Sequence, residues 1–286
     1  MKAFVVTGSS TGIGEACALH LAELGHRVFA AVRKAPDAEK LRQKHANVVP
    51  LLFDVRDAAA LRDAAAFVSQ EVGSKGIQGL VNNAGVAVAA PLEYLPIDDL
   101  RMQFDVNVVG QLAVTQAFLP LLRQGGGRIA FISSISGLMA TPMVGAYSAS
   151  KHAIEALGDS LRMELKESGV GVSLIEPGQI ATPIWTTSAQ AADERQTRMP
   201  AEAPERYGWM MRAARVRVHM GTKHGTDPRE VAKVVEKALL SANPKTRYLI
   251  GKDARTVRFI SALPDRWREK LVLGQLRKMA AAYKER

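Results

Sequence analysis

The feature that most narrows the fold is a rhythm. Short apolar runs return about every 20 to 30 residues at first and at wider intervals later along the first two thirds of the chain, with helix-patterned sequence between them. The runs at 2–6, 27–32, 48–53, 79–81, 128–133 and 171–175, and a shorter one at 248–250, read as strands. Those at 14–24, 58–72, 107–122 and 150–166 read as helices, and in the last of these Ile154, Leu157, Leu161 and Leu165 fall on one face. Strand, helix, strand in that order is the pattern of βαβ units. It predicts an α/β fold: a Rossmann-like doubly wound parallel sheet of about seven strands, helices on both faces, and right-handed crossovers.

The rhythm breaks at 185–226, where "MPAEAPERYGWMMRAARVRVHMGTKHG" carries Pro, Gly and four Met and no strand alternation. This stretch reads as a substrate lid inside one domain spanning 1–286. A helix at 228–241, the last strand and a basic helical extension over about 253–286 follow. Residues 1–194 hold 16 basic and 19 acidic side chains and residues 195–286 hold 22 and 9, so the basic excess belongs to the last third. No apolar run is expected to span a membrane. Met1 leads into the first strand candidate, so no signal peptide is expected and the expected compartment is the cytoplasm. The single cysteine, Cys17, reads as a buried thiol.

Three glycines fall where the first strand hands over to a helix, in "TGSSTGIGEA". Gly8 allows a tight turn, Gly12 removes the Cβ that would block a pyrophosphate, and Gly14 lets helix and strand pack closely. No Gly-Lys-Ser/Thr follows, so the turn is not a P-loop. The spacing Gly-x-x-x-Gly-x-Gly, with "NNAG" at 82–85, "YSASK" at 147–151 and "PG" at 177–178, resembles the short-chain dehydrogenase/reductase family, in the family's order, over about residues 3–182. Beyond Thr182 only general architecture is shared.

The resemblance implies a nicotinamide cofactor. An acidic residue after the second strand would serve the 2′-hydroxyl of NAD. The chain instead has Val32, followed by Arg33 and Lys34, which suit a 2′-phosphate, so NADP(H) is expected. The family positions imply that Asp54 meets the adenine amine, with Val55 against the ring. Asn82 would tie the fourth strand to its neighbour, and Gly85 would let the backbone approach the adenosine ribose. Pro177, Gly178 and Ile180 would line the nicotinamide, with Thr182 reaching its amide or the pyrophosphate. Ser10, Ile13 and Ala84 complete the implied cofactor set.

Tyr147 and Lys151 stand four apart at a helix start and project to one side. A free tyrosine, with a pKa of about 10, is a poor base near neutrality, and a neighbouring ammonium favours its phenolate. Tyr147 would exchange a proton with the substrate oxygen as hydride moves, and Lys151 would also hold the nicotinamide ribose. Ser134, thirteen residues upstream, would hydrogen-bond the substrate oxygen; Ser133 and Ser136 are its competitors, with backbone capping their expected use. Asn107 would support a water linking the lysine to solvent. Tyr248 and Lys252 repeat the spacing on a predicted strand, with Gly251 between them and Val235 thirteen upstream, so this copy reads as a coincidence.

The six His include no pair at ligand spacing with a carboxylate or thiol partner, so no metal is expected, and no Gly-x-Ser-x-Gly elbow points to a serine hydrolase. Leu138, Met139, Met143 and Val144 precede the tyrosine and supply no charged anchor; Trp185, Trp209, Met210 and Met211 would close the lid. The expected substrate is a lipophilic ketone or secondary alcohol of steroid or retinoid type. A homodimer or homotetramer is expected from the resemblance, nucleic acid is not, and the basic tail is expected to pack on protein rather than on a membrane. The rival reading is a cofactor-binding regulator without turnover, against which the complete set Asn107, Ser134, Tyr147 and Lys151 argues.

Overall fold

The computed structural model describes residues 1–283. Its strands are β1 (Ala3–Val6), β2 (Arg27–Val32), β3 (Val48–Leu52), β4 (Gly79–Asn82), β5 (Arg128–Ile132), β6 (Gly171–Pro177) and β7 (Arg247–Ile250). The helices are α1 (Gly12–Glu23), α2 (Ala35–Lys44), α3 (Ala58–Val72), α4 (Ile97–Phe104), α5 (Gly110–Gly125), α6 (Gly145–Glu164), α7 (Ile184–Gln196), α8 (Ala203–His224), α9 (Pro228–Leu240), α10 (Lys252–Ser261) and α11 (Asp265–Ala281).

All seven strands pair in parallel in the order β3-β2-β1-β4-β5-β6-β7. The chain works outward from β1 to β3, then returns to build the other half from β4. The carboxyl ends of β1 and β4 therefore face a crevice at the topological switch point, where ligands bind in such sheets. Both faces of the sheet are buried, as its β-branched and aromatic runs require. Val5, Phe29 and Leu80 join a core with Phe118 and Ile154 on one face. Phe4, Val6 and Val81 join one with Leu21 and Leu239 on the other. The Cys17 thiol lies in the second core, and burial pushes its pKa up to about 12.

The structure adds elements the pattern did not reveal. Helix α2 is polar and buries only Leu41, which leaves almost no periodic signal. A π-helical turn, Asp105–Val109, joins α4 to α5. The result is one helical run, Ile97–Gly125, long and apolar enough to cross a membrane by length and composition alone, which corrects the expectation that no run would be. Half of its most apolar window is buried inside the protein. The segment 185–226 consists mainly of α7 and α8; α7 buries no residue and α8 buries only Ala203, Met211, Ala213 and Gly221. The expected tail forms α10 and α11, and its last residues, 284–286, lie outside the described residues.

Candidate active site

At the switch point the ends of β1 and β4 are laced together by side chains. The Thr7 hydroxyl oxygen accepts from the backbone N–H groups of Asn83 (3.0 Å) and Ala84 (3.1 Å). The Asn83 amide donates to the carbonyls of Thr7 (2.9 Å) and Gly8 (3.0 Å). Gly8 turns at φ +66°, and a Cβ there would stand 2.8 Å from Ala84 Cα. A Cβ on Gly14 would stand 2.2 Å from the Gly8 carbonyl oxygen, so helix and turn approach as closely as backbone allows.

The start of α1 is open. Its N-cap, Thr11, makes no side-chain cap hydrogen bond, whereas Asp57 and Asp227 cap α3 and α9. Backbone donors at Gly12, Ile13 and Gly14, with half-buried Ser10 beside them, are therefore left at a positive helix end. Across from Gly12 lies Thr182, whose methyl would stand 3.0 Å from a Cβ at that glycine. Free donors, a helix terminus and space kept clear by glycine fit a pyrophosphate.

At the end of β2, Val32 is buried while Arg33 and Lys34 are exposed. Asp54 is held differently from expectation. Arg56 Nε and Nη2 donate to its two oxygens (3.0 and 2.8 Å), and the Arg56 N–H donates to Oδ1 (3.0 Å). The Arg56 hydrogen bond is the chief reason the Asp54 carboxyl sits below its usual range, and the charge of Arg33 acts in the same direction. Val55 is buried against Gly110 of α5.

Asn82 is also corrected. Its amide donates to Thr115 Oγ1 of α5 (2.8 Å), and the side chain that ties β4 to β1 is Asn83. The loop after β4 is pinned by three buried amides. Gln103 donates to the Val86 carbonyl and accepts from Val88 N–H (both 2.8 Å). Asn107 accepts from Val86 N–H (2.8 Å) and donates to the Val86 carbonyl (3.0 Å) and to Ser150 Oγ (3.1 Å). Gln111 donates to the Ala84 carbonyl (2.8 Å). These residues stand four apart along the helical run, so a single face holds Ala84 to Val88 in place. Gly85 is exposed within this loop, and a Cβ there would lie 3.3 Å from Asn107 Oδ1. The Asn107 side chain is thereby engaged by backbone and by Ser150, whose hydroxyl in turn donates to the Tyr147 carbonyl (2.7 Å).

Tyr147 and Lys151 occupy the first two turns of α6. Burial raises the Tyr147 pKa, and hydrogen bonding with the Ser134 side chain pulls it back down. Lys151 Nζ donates to the Ile132 carbonyl (2.7 Å) and stands 5.7 Å from the tyrosine ring centre. Burial pushes its pKa down to about 8, opposed by the charge of Glu155. The pull expected of the ammonium is not among the causes of the tyrosine's shift: burial raises it and Ser134 is the group that lowers it. Ser134 is itself the cap of the following 3-10 turn, accepting from Ser136 N–H (3.0 Å), whereas Ser133 Oγ is buried with no hydrogen-bond partner. Capping thus belongs to Ser134, not to its two competitors.

Beyond β6, buried Pro177 leads to Gly178, whose N–H donates to the Ile250 carbonyl (2.7 Å). Asp253 lies where a Gly178 Cβ would be, and accepts from Gln179 N–H (3.1 Å). Ile180 is buried and its carbonyl accepts from the Trp185 indole (2.7 Å). Trp185 packs on Gly221 of α8. Met143, in the loop before the tyrosine, turns at φ +72°, and its carbonyl accepts from Ala90 N–H (2.8 Å). Met211 is buried in α8, while the Trp209 ring takes the Arg277 guanidinium at 5.6 Å. Among the described residues no group of three or more His, Cys, Asp and Glu is placed to hold a metal.

Sequence reasoning missed Asn83, Gln103 and Gln111. Asn83 stands in the quoted "NNAG", and the four-residue spacing of Gln103, Asn107 and Gln111 was a readable signal. It also missed Arg217, whose Nη1 donates to Thr141 Oγ1 (3.0 Å) in the loop before the tyrosine.

Residues 2–193 match the family model described as short chain dehydrogenase. The chain is 37% identical to an NADPH-dependent 3-dehydrocapnine reductase of Ornithobacterium rhinotracheale, over 98% of this chain and 99% of the relative. It is 35% identical to human retinol dehydrogenase 5, over 89% and 82% of the two chains. Among solved structures, a short chain dehydrogenase/reductase from Burkholderia phymatum in complex with NAD superposes with a TM-score of 0.76, at 25% identity over 96% and 95% of the chains.

Proposed function

The chain belongs to the short-chain dehydrogenase/reductase family, and on that premise we propose that it is an NADP(H)-dependent oxidoreductase that interconverts a lipophilic carbonyl compound and its secondary alcohol. The observation that carries the reading is the partly buried Tyr147, its pKa raised by desolvation and tempered by Ser134, with the Lys151 amine beside its ring. The cofactor, when bound, supplies or accepts the hydride.

In the reducing direction Tyr147 keeps its proton, because its pKa is raised, and passes it to the carbonyl oxygen as the carbon receives hydride. Ser134 hydrogen-bonds that oxygen and stabilises charge developing on it. Lys151 offsets the phenolate left behind and, with Pro177, Gly178 and Ile180, borders the nicotinamide end. Asn107 acts by holding the loop at Val86 and, through Ser150, the first turn of α6. Gly8, Ser10, Gly12, Ile13, Gly14, Ala84, Gly85 and Thr182 hold the cofactor's middle. Leu138, Met139, Met143 and Val144 face the substrate, with α7 and α8 as its lid.

NADP(H) over NAD(H) is supported by exposed Arg33 and Lys34 after β2, by the absence of a carboxylate at Val32, and by the NADPH-dependent relative. Arg56, on Asp54, adds a second guanidinium at this end. Arg33→Ala should weaken NADPH binding roughly ten- to a hundredfold, the worth of a charge-assisted hydrogen bond, and NADH binding far less. Equal losses for both in fluorescence titrations would refute the assignment. The activity itself is tested by NADPH oxidation with a panel of long-chain and polycyclic ketones.

A further inference from the structure

The sequence of the loop before Tyr147 offers no charged group to a substrate, but the fold brings one to it. Arg217, in the second half of α8, reaches Thr141 with one hydrogen bond of 3.0 Å. One turn further along α8, Gly221 seats the Trp185 ring, and the Trp185 indole is fixed to the Ile180 carbonyl. Arg217 therefore lies between the loop that follows Ser134 and the segment that follows Pro177, the two walls flanking the catalytic tyrosine.

Its electrostatic situation differs from that of three paired arginines of α7 and α8, and its partial burial from that of Arg212, which is exposed. Arg195 pairs with Asp99, Arg206 with Glu93 and Arg215 with Asp193. Arg217 has no such ion pair among the described residues, and its hydrogen bond goes to a neutral hydroxyl. The acid whose charge it feels is Asp253, and that carboxylate is wedged beneath Gly178, where it accepts from Gln179 N–H. Burial lowers the Arg217 pKa, yet a guanidinium does not give up its proton in a protein. A partly buried cation is thus held at the substrate mouth with most of its fork of donors uncommitted to any carboxylate. Such a fork matches a planar or tetrahedral oxyanion.

We propose that Arg217 anchors an oxyanion carried by the substrate, so that the natural substrate is an acidic amphiphile: a carbonyl on an apolar chain bearing a carboxylate, sulfonate or similar group. This rests on the substrate reading above and sharpens it. The apolar chain would lie along Met143 and Trp185, with Arg217 fixing the end that enters and hence which carbon meets the hydride donor.

The test uses the full-length protein with NADPH and a series of oxo-fatty acids, the ketone moved along the chain, each beside its methyl ester. The wild type should prefer at least one acid over its ester by roughly tenfold or more in kcat/KM. Arg217→Met should lower that acid-to-ester ratio by a comparable factor, mainly through KM, and Arg217→Lys should restore part of it. Because the acid preference is read on the wild type, a poorly folding variant leaves the proposal open to refutation. No acid preference in any member of the series, or a ratio unmoved in Arg217→Met, overturns it. So does a parallel loss of NADPH affinity of the same size, which would make the cofactor the anion served. If no ketone is turned over, the function reading fails by itself. The anchor then stands or falls on calorimetric binding of the oxo-acids to the NADPH complex, which should be weakened in Arg217→Met.

Discussion

One stripe of α6 carries Tyr147, Lys151, Glu155 and Asp159 at four-residue intervals, and its two halves behave differently. In the second half charge meets opposite charge. Arg247 Nε donates to Glu155 (3.1 Å), Arg247 Nη2 donates to Asp159 (2.6 Å), and Arg247 Nε lies 3.2 Å from Glu176 of β6. In the first half no opposite charge answers the tyrosine, and the lysine hydrogen-bonds a backbone carbonyl. There burial pushes both groups toward their neutral forms. The same helical spacing therefore builds the proposed reactive site at one end and an ionic clamp at the other. What differs is what each half faces: Ile132 at the end of β5 and Ser134 just beyond it, or Glu176 and Arg247 on β6 and β7.

The largest effect that would sharpen this contrast is Tyr147→Phe. Removing the hydroxyl takes away the proposed acid-base group while leaving the ring in place, so turnover should fall by about a hundred- to ten-thousandfold. Thermal unfolding and NADPH titration should stay close to wild type. Activity within a few-fold of wild type would end the division of the stripe into reactive and structural halves.

The clamp half has its own titration. Glu176 is almost wholly buried, and burial, with the charge of Glu155, pushes its pKa up to about 7. A carboxyl whose folded pKa is raised binds its proton more tightly in the folded state. Its stabilisation is full below about pH 4.5 and is lost as pH rises through about 7. Glu176→Gln removes that dependence. Urea unfolding at pH 5 and pH 8 should show the wild type losing ground against the mutant at the higher pH. A difference independent of pH would mean that Arg247 keeps the carboxylate ionised throughout.

How much of this was legible follows from where each interaction lies along the chain. The seven strands were readable because apolar β-branched runs repeat, and the tight turn after β1 because Gly8, Gly12 and Gly14 are local. The clamp was not readable: Arg247 is 92 residues from Glu155, and only the closing of the sheet by β7 brings them together. Arg217 and Thr141 are 76 residues apart. Helices α7 and α8 bury so little that their periodicity is faint. Asp54 was assigned from its position after β3, but Arg56, two residues on, competes for the same oxygens.

Lys151→Met probes the first half more gently. The tyrosine pKa is raised by burial and lowered by Ser134, and removing a nearby ammonium is expected to raise it further. The alkaline rise of alcohol oxidation should therefore move to higher pH, and cofactor binding should weaken. The wild-type lysine itself loses its proton near pH 8, so the two profiles should converge well above that value. An unshifted kcat profile at saturating cofactor would make Lys151 a cofactor anchor alone.

The smallest effect belongs to Tyr248→Phe, and it tests whether spacing or surroundings makes the site. Tyr248 stands four residues before Lys252, as Tyr147 stands before Lys151, but the side chain of Lys252 lies outside the described residues. The chain turns at Gly251 with φ +108° between β7 and α10, so the second pair is split between a strand and a helix rather than sharing one helical face. The Tyr248 hydroxyl is also committed, accepting from Lys245 N–H (2.8 Å) in the turn before β7. Phe removes that one exposed hydrogen bond, so stability should fall by about 1 kcal/mol or less. Turnover should stay within about twofold of wild type, since surface changes away from a site rarely matter more. A loss of activity approaching that of Tyr147→Phe would mean that β7 reaches the reacting groups, and the line between the two halves of α6 would have to be redrawn through Arg247.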